Sequence, residues 1–285
     1  MDDQVAAAAH GPAPTVMVRP DRFAPYRSVV ASRLRAQRAY PASFITETIA
    51  SLLVGIVELG EVWVLFHNVK VLGGLDFTAV LLVFGLANAS FSIAEIGVGH
   101  LDSLPTYLRA GTLDVFYLRP QPLLAQLITS DVQLRRIARA GVGLICVAVA
   151  LSANDVRWTA ATVVMIVIAV VCGVAVYAAL FVTAAGFQFF LINGPETTNA
   201  FVYGGSYASS QPAAVWPGPI KIIFGFLFPV AFCAYLPALR ILDLPGPALL
   251  PSWLAWLLPV AAIWAWLVAM TAWRIGVRHY QGGGG

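Results

Sequence analysis

Apolar residues gather in long blocks along this chain, separated by short polar stretches. The block from Trp158 to Phe190 holds no Asp, Glu, Lys, Arg or His. A helix that crosses the hydrocarbon core of a bilayer needs roughly 20 mainly apolar residues. By that measure the pattern predicts six spans: Phe44–Asn68, Phe77–Val98, Ala138–Ala153, Trp158–Phe190, Ile220–Leu239 and Trp253–Trp273. The fourth would be about 50 Å long at 1.5 Å per residue, so it must tilt or project beyond the membrane. The fifth contains Pro229 and Pro237. Proline removes a backbone donor and clashes with the preceding turn. A kinked or broken fifth span is expected, with a short second helical piece near Leu249 and Leu250. Lys70 to Asp76, with Gly73 and Gly74, predict a tight turn, and Ser152 to Arg157 a short loop. Asn193 to Pro219, rich in Gly, Pro, Ser and Thr, predicts a longer loop. The expected fold class is an all-α polytopic membrane protein with six transmembrane helices.

The flanks divide the chain further. Residues 1–18 are Ala-rich, lack an apolar stretch behind a basic start, and are expected to be a disordered tail. Residues 19–40 interleave six arginines with Phe23, Tyr26, Val29, Val30 and Leu34. This suits an amphipathic helix lying in the membrane interface, or else a helix solvated in the cytoplasm. Residues 41–280 form the six-helix domain. Residues 281–285, ending in Gly282 to Gly285, look like a linker or tag scar.

Composition agrees with the pattern. Apolar residues make up 59% of the chain, charged residues 11%, and mean hydropathy is +0.80. A soluble domain carries about a quarter charged residues, so a soluble globular protein is excluded. Six spans put both termini on one side. Counted loop by loop, that side has 14 basic residues, Lys221 among them, against three on the other (Lys70, Arg157, Arg240). The positive-inside rule makes the basic side cytoplasmic. Trp63, Trp158, Trp216, Trp253 and Trp273 fall near span ends, as interfacial anchors do. Cys146, Cys172 and Cys233 lie in apolar runs and read as small buried hydrophobes.

Chemistry is sparse. The chain has no P-loop, no H-E-x-x-H, no G-x-S-x-G and no C-x-x-C. No metal site and no catalytic residues are expected. Glu47, Ser51, Glu58 and Glu61 share one face of the first span, at i, i+4, i+11 and i+14, and Asn68 continues it. Asn88, Ser92 and Glu95 share one face of the second. Ionisable groups inside a membrane are costly and face the protein interior or a water-filled path. One reading makes Glu58, Glu61, Asn88, Ser92 and Glu95 a translocation path or proton relay. The other has the two stripes satisfying each other or a partner subunit.

The loop from His100 to Arg136 is too polar to span and too apolar for a solvated linker. In it, Gly111 would allow a turn, Thr112 would cap a short helix and Pro120 would stop it. It reads either as a re-entrant interfacial helix or as a docking element for another protein.

Arg109 to Leu127, "RAGTLDVFYLRPQPLLAQL", resembles a signature of the bacterial ABC type-2 export permeases. Pro212 to Asp243, with the proline pair and "YLPA" at Tyr235 to Ala238, resembles the fifth span of the same subfamily, whose extracytoplasmic re-entrant region the broken span would fit. The resemblance implies a dimeric transmembrane unit with a second permease chain, paralogous or identical. It also implies two copies of a separate ATPase subunit that bind ATP and Mg, so this chain would be a transporter membrane subunit and not an enzyme. The loop after the second span would be the coupling helix, with Arg109, Gly111, Leu113, Asp114, Arg119 and Pro120 as the docking set. Residues 19–40 would be the connecting helix. The implied location is the bacterial cytoplasmic membrane, multi-pass. The implied partners are that ATPase, the second permease and lipid, with no nucleic acid. An ion-coupled transporter or channel using the intramembrane glutamates is the alternative.

Overall fold

The computed structural model describes residues 24–39, 41–191 and 195–281. The expected tail at 1–18 and the glycine run at 282–285 lie outside the described residues. Among the described residues every regular element is helical: α1 Ala24–Ala39, α2 Pro41–Asn68, α3 Phe77–Val98, α4 Leu104–Arg109, α5 Asp114–Tyr117, α6 Leu123–Ser130, α7 Ile137–Ala153, α8 Ala160–Gln188, α9 Pro195–Ser209, α10 Gly218–Ile222, α11 Tyr235–Ile241 and α12 Leu258–His279. The chain is an all-α polytopic membrane protein. Five helical stretches are long and apolar enough to cross a membrane: Pro41–Asn68, Phe77–Arg109, Leu134–Ala153, Ala160–Gln188 and Ser252–His279.

Local chemistry sets several of the boundaries. Asp76 caps α3, its carboxylate accepting the Ala79 N–H at 2.9 Å. Thr159 caps α8 in the same way through the Thr162 N–H. Between α2 and α3, Leu72 and Leu75 exchange backbone bonds of 2.8 and 3.1 Å. Gly73 and Gly74 between them sit at φ +59° and +86°, conformations that glycine adopts without strain.

α3 is the hub, with 83% of its most apolar window buried, against 11% for α2. Bilayer lipid is as apolar as leucine, so spans associate through close packing and polar contacts more than through hydrophobic transfer. Small residues supply the closeness. A Cβ on Gly143 of α7 would lie 2.5 Å from the Ala89 backbone nitrogen of α3, and one on Gly85 would lie 2.7 Å from the Val147 nitrogen. α8 and α12 approach as closely, where Gly186 meets the Ala272–Trp273 backbone.

The bundle has two ends. The α2–α3 turn and the α7–α8 loop share one, joined where Thr78 donates to Asn154 at 3.0 Å. The long α3–α7 loop, α1 and Tyr280 share the other: α1 packs on α6, and Tyr280 bonds to Asp114. We call these the hairpin end and the terminal end.

The second half of the chain departs from a simple six-span pattern. The segment Asn193 to Pro219, expected as a loop, is mostly helix α9. Its middle lies toward the terminal end, where Tyr203 bonds Glu95 of α3 and Asp102 just beyond it. It ends at the hairpin end, where Pro212, Ala214 and Val215 crowd Gly73. The proline-broken segment bends by 75° between Gly218–Leu227 and Val230–Ile241. It begins beside Trp216, next to the Gly73 contact, and finishes at Asp243, which pairs with Arg157 of the α7–α8 loop. Both limbs therefore open at the hairpin end, and the segment enters and returns. The sixth traverse of the bundle is made by α9 with its continuation to Val215. Lys221, on the first limb beside Pro217, moves with it to the hairpin end. The second helical piece is α11, not Leu249–Leu250, which lie in a turn.

Smaller corrections follow from packing. α8 covers Ala160–Gln188, slightly shorter than expected. Trp63, Trp158 and Trp253 are about 60% exposed, as anchors should be, but Trp216 and Trp273 are buried, at 7% and 6%. Thr112 does not cap α5 through its hydroxyl. Its carbonyl instead accepts the Val115 N–H at 3.3 Å.

Gly143→Leu should force α3 and α7 apart and lower stability by about 1–3 kcal/mol. Gly141→Leu, where a Cβ meets nothing within 4 Å, should stay within about 0.5 kcal/mol. Thermal unfolding of the two variants in detergent, followed by size exclusion, compares them.

Candidate functional site

The polar stripes of α2 and α3 face each other, and the start of α7 inserts between them. Glu58 of α2 accepts from Asn88 of α3 at 2.7 Å, and Ser92 donates to Asn88 at 3.4 Å. The two stripes thus satisfy each other in part. Most of the charge balance comes from arginines. Arg139, one turn into α7, grips Glu58 with both limbs of its fork, Nη2 to Oε1 at 2.5 Å and Nε to Oε2 at 3.2 Å. Its remaining Nη1 lies 3.8 Å from Glu95 Oε2, and its Cζ sits 5.2 Å from the centre of the Phe91 ring. Gly55 of α2 packs against the arginine stem, whose Cγ lies 3.4 Å from where a Cβ would sit.

Glu95 is fully buried. Arg136 pairs with it at 2.8 Å and also donates to Gln133 at 3.0 Å. The Tyr203 hydroxyl of α9 lies 3.1 Å from Glu95 and 2.5 Å from Asp102. It has a single proton to give, so it serves one carboxylate at a time. An aromatic group centred on Phe91, with Tyr177, Phe181 and Tyr203, closes the cluster toward α8.

On the other side lies a cavity of about 340 Å³, lined by Glu58, Glu61, Asn88, Arg136, Arg139 and Tyr203, with Ser206, Tyr207, Ser210 and Gln211 of α9 and its continuation. Glu61 meets the Tyr207 hydroxyl. All five residues expected on a polar path are therefore brought together. Glu58, Glu61 and Asn88 line the cavity, Ser92 is bonded to Asn88, and Glu95 is held by the lining arginines. Glu47 and Asn68 fall away: Glu47 pairs with Arg135 near the terminal end, and Asn68 bonds its own helix at Val64. The sequence reading missed Arg136, Arg139, Tyr203 and Tyr207. Beside a span in the sequence the arginines look like flanking charges, and the tyrosines lie in a segment whose composition reads as a loop.

The α3–α7 loop is a second candidate site. Leu101, Leu104, Leu113 and Leu127 are buried to 1% or less and give it a core of its own. Gln126 straps it, donating to the carbonyls of Phe116 and Gln121 at 3.0 and 2.7 Å. Gly111 turns the chain at φ +64°, as expected. Of the six expected docking residues, Arg109, Asp114, Arg119 and Pro120 are exposed, whereas Leu113 points inward. Asp114 accepts from Tyr280 at 2.9 Å, and the Tyr117 and Tyr280 rings stack 6.0 Å apart. Burial, the bond to Asp114 and that carboxylate's charge push the Tyr280 hydroxyl up to about 12, so it stays a donor at neutral pH. The exposed tip is Val115, Tyr117 and Leu118, the last 84% exposed. Leu118 was not in the expected set.

These features define a multi-pass membrane protein with a charged cavity inside its bundle and a folded apolar-tipped loop at one end. The family described as ABC-2 family transporter protein matches residues 52–284, and the chain belongs to it. It is a permease component of an ABC transporter, and membership implies an ABC ATPase as its partner. No curated protein and no solved structure matches it.

Removing one partner from a buried ion pair is strongly destabilising. Arg139→Met should lower stability by about 3–5 kcal/mol. Glu58→Gln with Arg139→Met should cost less than the sum of the single changes. Chaotrope unfolding of the four proteins gives the cycle. A strictly additive result would refute the coupling.

Proposed function

We propose that this chain is the membrane subunit of an ATP-driven exporter, coupling ATP hydrolysis on a separate ATPase subunit to movement of substrate along the α2–α3–α9 cavity. The observation that supports this most directly is the α3–α7 loop. An exposed leucine, valine and tyrosine on a strapped, self-packed platform fit a protein surface better than water. Apart from the paired Arg136 and Arg139, the terminal end carries Arg109, Arg119, Arg135, Arg274 and Arg278. The positive-inside rule therefore makes it cytoplasmic, with both termini there, even with Lys221 on the other side. Two ATPase subunits, binding ATP and Mg, would seat on that face, one for each permease chain. A second permease chain, identical or paralogous, fits against α2, whose apolar window is only 11% buried.

The packing suggests how a push on the loop reaches the cavity. The loop cannot yield locally, because Leu113 and Gln126 tie it together. It leads directly into Arg136 and Arg139, which hold Glu95 and Glu58. Its second tether, Tyr280, ends α12. A rigid-body shift of the loop therefore moves α7 against α2 and α12 against α8. Such motion between two packed arrangements is the usual basis of alternating access. The pairing of Glu58 and Glu95 with arginines weighs against the ion-coupled alternative, in which those carboxylates would exchange protons with solvent.

Leu118→Arg with Arg119→Glu should cut co-purification of the co-expressed ATPase about tenfold while leaving the membrane subunit monodisperse. Leu113→Ala should instead destabilise the subunit by about 2–5 kcal/mol. Unchanged ATPase recovery with the first variant would sink the docking assignment.

A further inference from the structure

Glu58 and Glu61 are three residues apart and neighbours on one face of α2, but their surroundings differ. Glu58 is held by Arg139 and Asn88. Glu61 lies one turn further along, exposed, and lines the same cavity. Its carboxylate meets a hydroxyl, that of Tyr207. Among the described residues no ion pair involves Glu61. The two guanidinium groups in the lining are already committed, Arg139 to Glu58 and Glu95, and Arg136 to Glu95. Counting the lining charges together with Glu95, the cavity holds one carboxylate in excess, and that carboxylate is Glu61.

An anionic ligand would have to share an arginine with Glu58 or with buried Glu95 and would lie in the same cavity as the excess carboxylate. A cationic ligand meets Glu61 without breaking anything. The rest of the wall is hydroxyl and amide (Ser206, Ser210, Gln211) with Val54 and Phe84. Beyond the rim α2 is apolar, with Leu53 and Val57 about half exposed. A volume of about 340 Å³ falls at the small end for ligand pockets. It suits a single bulky organic ion and is too small for a folded polymer chain.

We propose that this cavity selects organic cations with apolar bodies, and that Glu61 is the residue that selects them. The inference rests on the reading of the cavity as the translocation path and names its substrate class.

Tetraphenylphosphonium and tetraphenylborate have nearly the same shape and opposite charge, so they isolate the sign of the site. Equilibrium binding is measured on the full chain in phosphatidylcholine nanodiscs, and ATP-driven uptake on the complex with its ATPase in proteoliposomes. Saturable phosphonium binding is expected, weakened about tenfold by Glu61→Gln and largely kept by Glu61→Asp. Tetraphenylborate should show no saturable binding. Phosphonium binding unchanged in Glu61→Gln, or borate bound as tightly as phosphonium, would overturn the proposal. So would phosphonium binding that survives Ser210→Trp, which fills the cavity. Glu61-dependent binding without ATP-driven uptake would uphold the cation site and overturn the path reading. Uptake blocked by Ser210→Trp, with phosphonium binding indifferent to Glu61→Gln, would uphold the path and overturn the selectivity.

Discussion

The Arg139 guanidinium is where the bundle is tied. A charged side chain one turn inside a membrane helix is expensive to bury, and the structure answers with two carboxylates and an aromatic face. Satisfying that one group requires α2 to bring Glu58 up to α7. It also requires α3 to present Glu95 and Phe91 together. Glu95 in turn calls for Arg136 and Tyr203, and Tyr203 fixes the middle of α9. The placement of four elements thus follows from neutralising a few charges. A lipid-surrounded bundle lacks the hydrophobic drive that orders a soluble core, so such polar contacts carry more of the specificity here.

α9 shows what that specificity permits. Its segment has two adjacent glycines and many hydroxyl residues, with little of the apolar character expected of a helix in lipid. It runs through the bundle because its polar groups find partners inside. Tyr203 meets Glu95 and Asp102, and Ser209 bonds the buried Tyr177 hydroxyl of α8. On its outer side the re-entrant pair covers it, with Phe228 against Phe201 and Phe224 near Gly205. The proline-broken segment, although more apolar, does not cross. Its 75° bend turns both limbs back to the hairpin end, where the Asp243–Arg157 pair pins the exit.

The cavity and the α3–α7 loop lie in series. The loop ends where Arg136 begins, and Arg136 and Arg139 form the cavity wall. On the proposed function no extra relay is needed between loop and cavity, because the arginine that ends the loop and the one that follows it in α7 both line the cavity. The Tyr280 tether adds a second connection, from the loop to the last helix, and so to the glycine-lined contact between α12 and α8.

Much of this was legible in the chain. Long uncharged runs require a membrane, because no soluble core could use so much apolar surface. The i, i+3 and i+4 spacing of Glu58, Glu61, Asn88, Ser92 and Glu95 identifies two polar faces, since helical periodicity is local. Gly111 marks its turn for the same reason. The rest depended on pairing across long sequence separations. Arg139 lies 81 residues from Glu58, and nothing near it in sequence distinguishes a buried, paired arginine from one that flanks a span in water. Leu113 and Leu118 look alike in a short amphipathic run, and only packing sends the first inward and the second out. α9 reads as a loop because its helix is stabilised by partners on α3 and α8 more than by its own apolar face. The sequence by itself determined that the chain enters the membrane and which residues are polar there. Tertiary structure decided which segment crosses, which turns back and which charges meet, because those outcomes depend on contacts that local pattern does not encode.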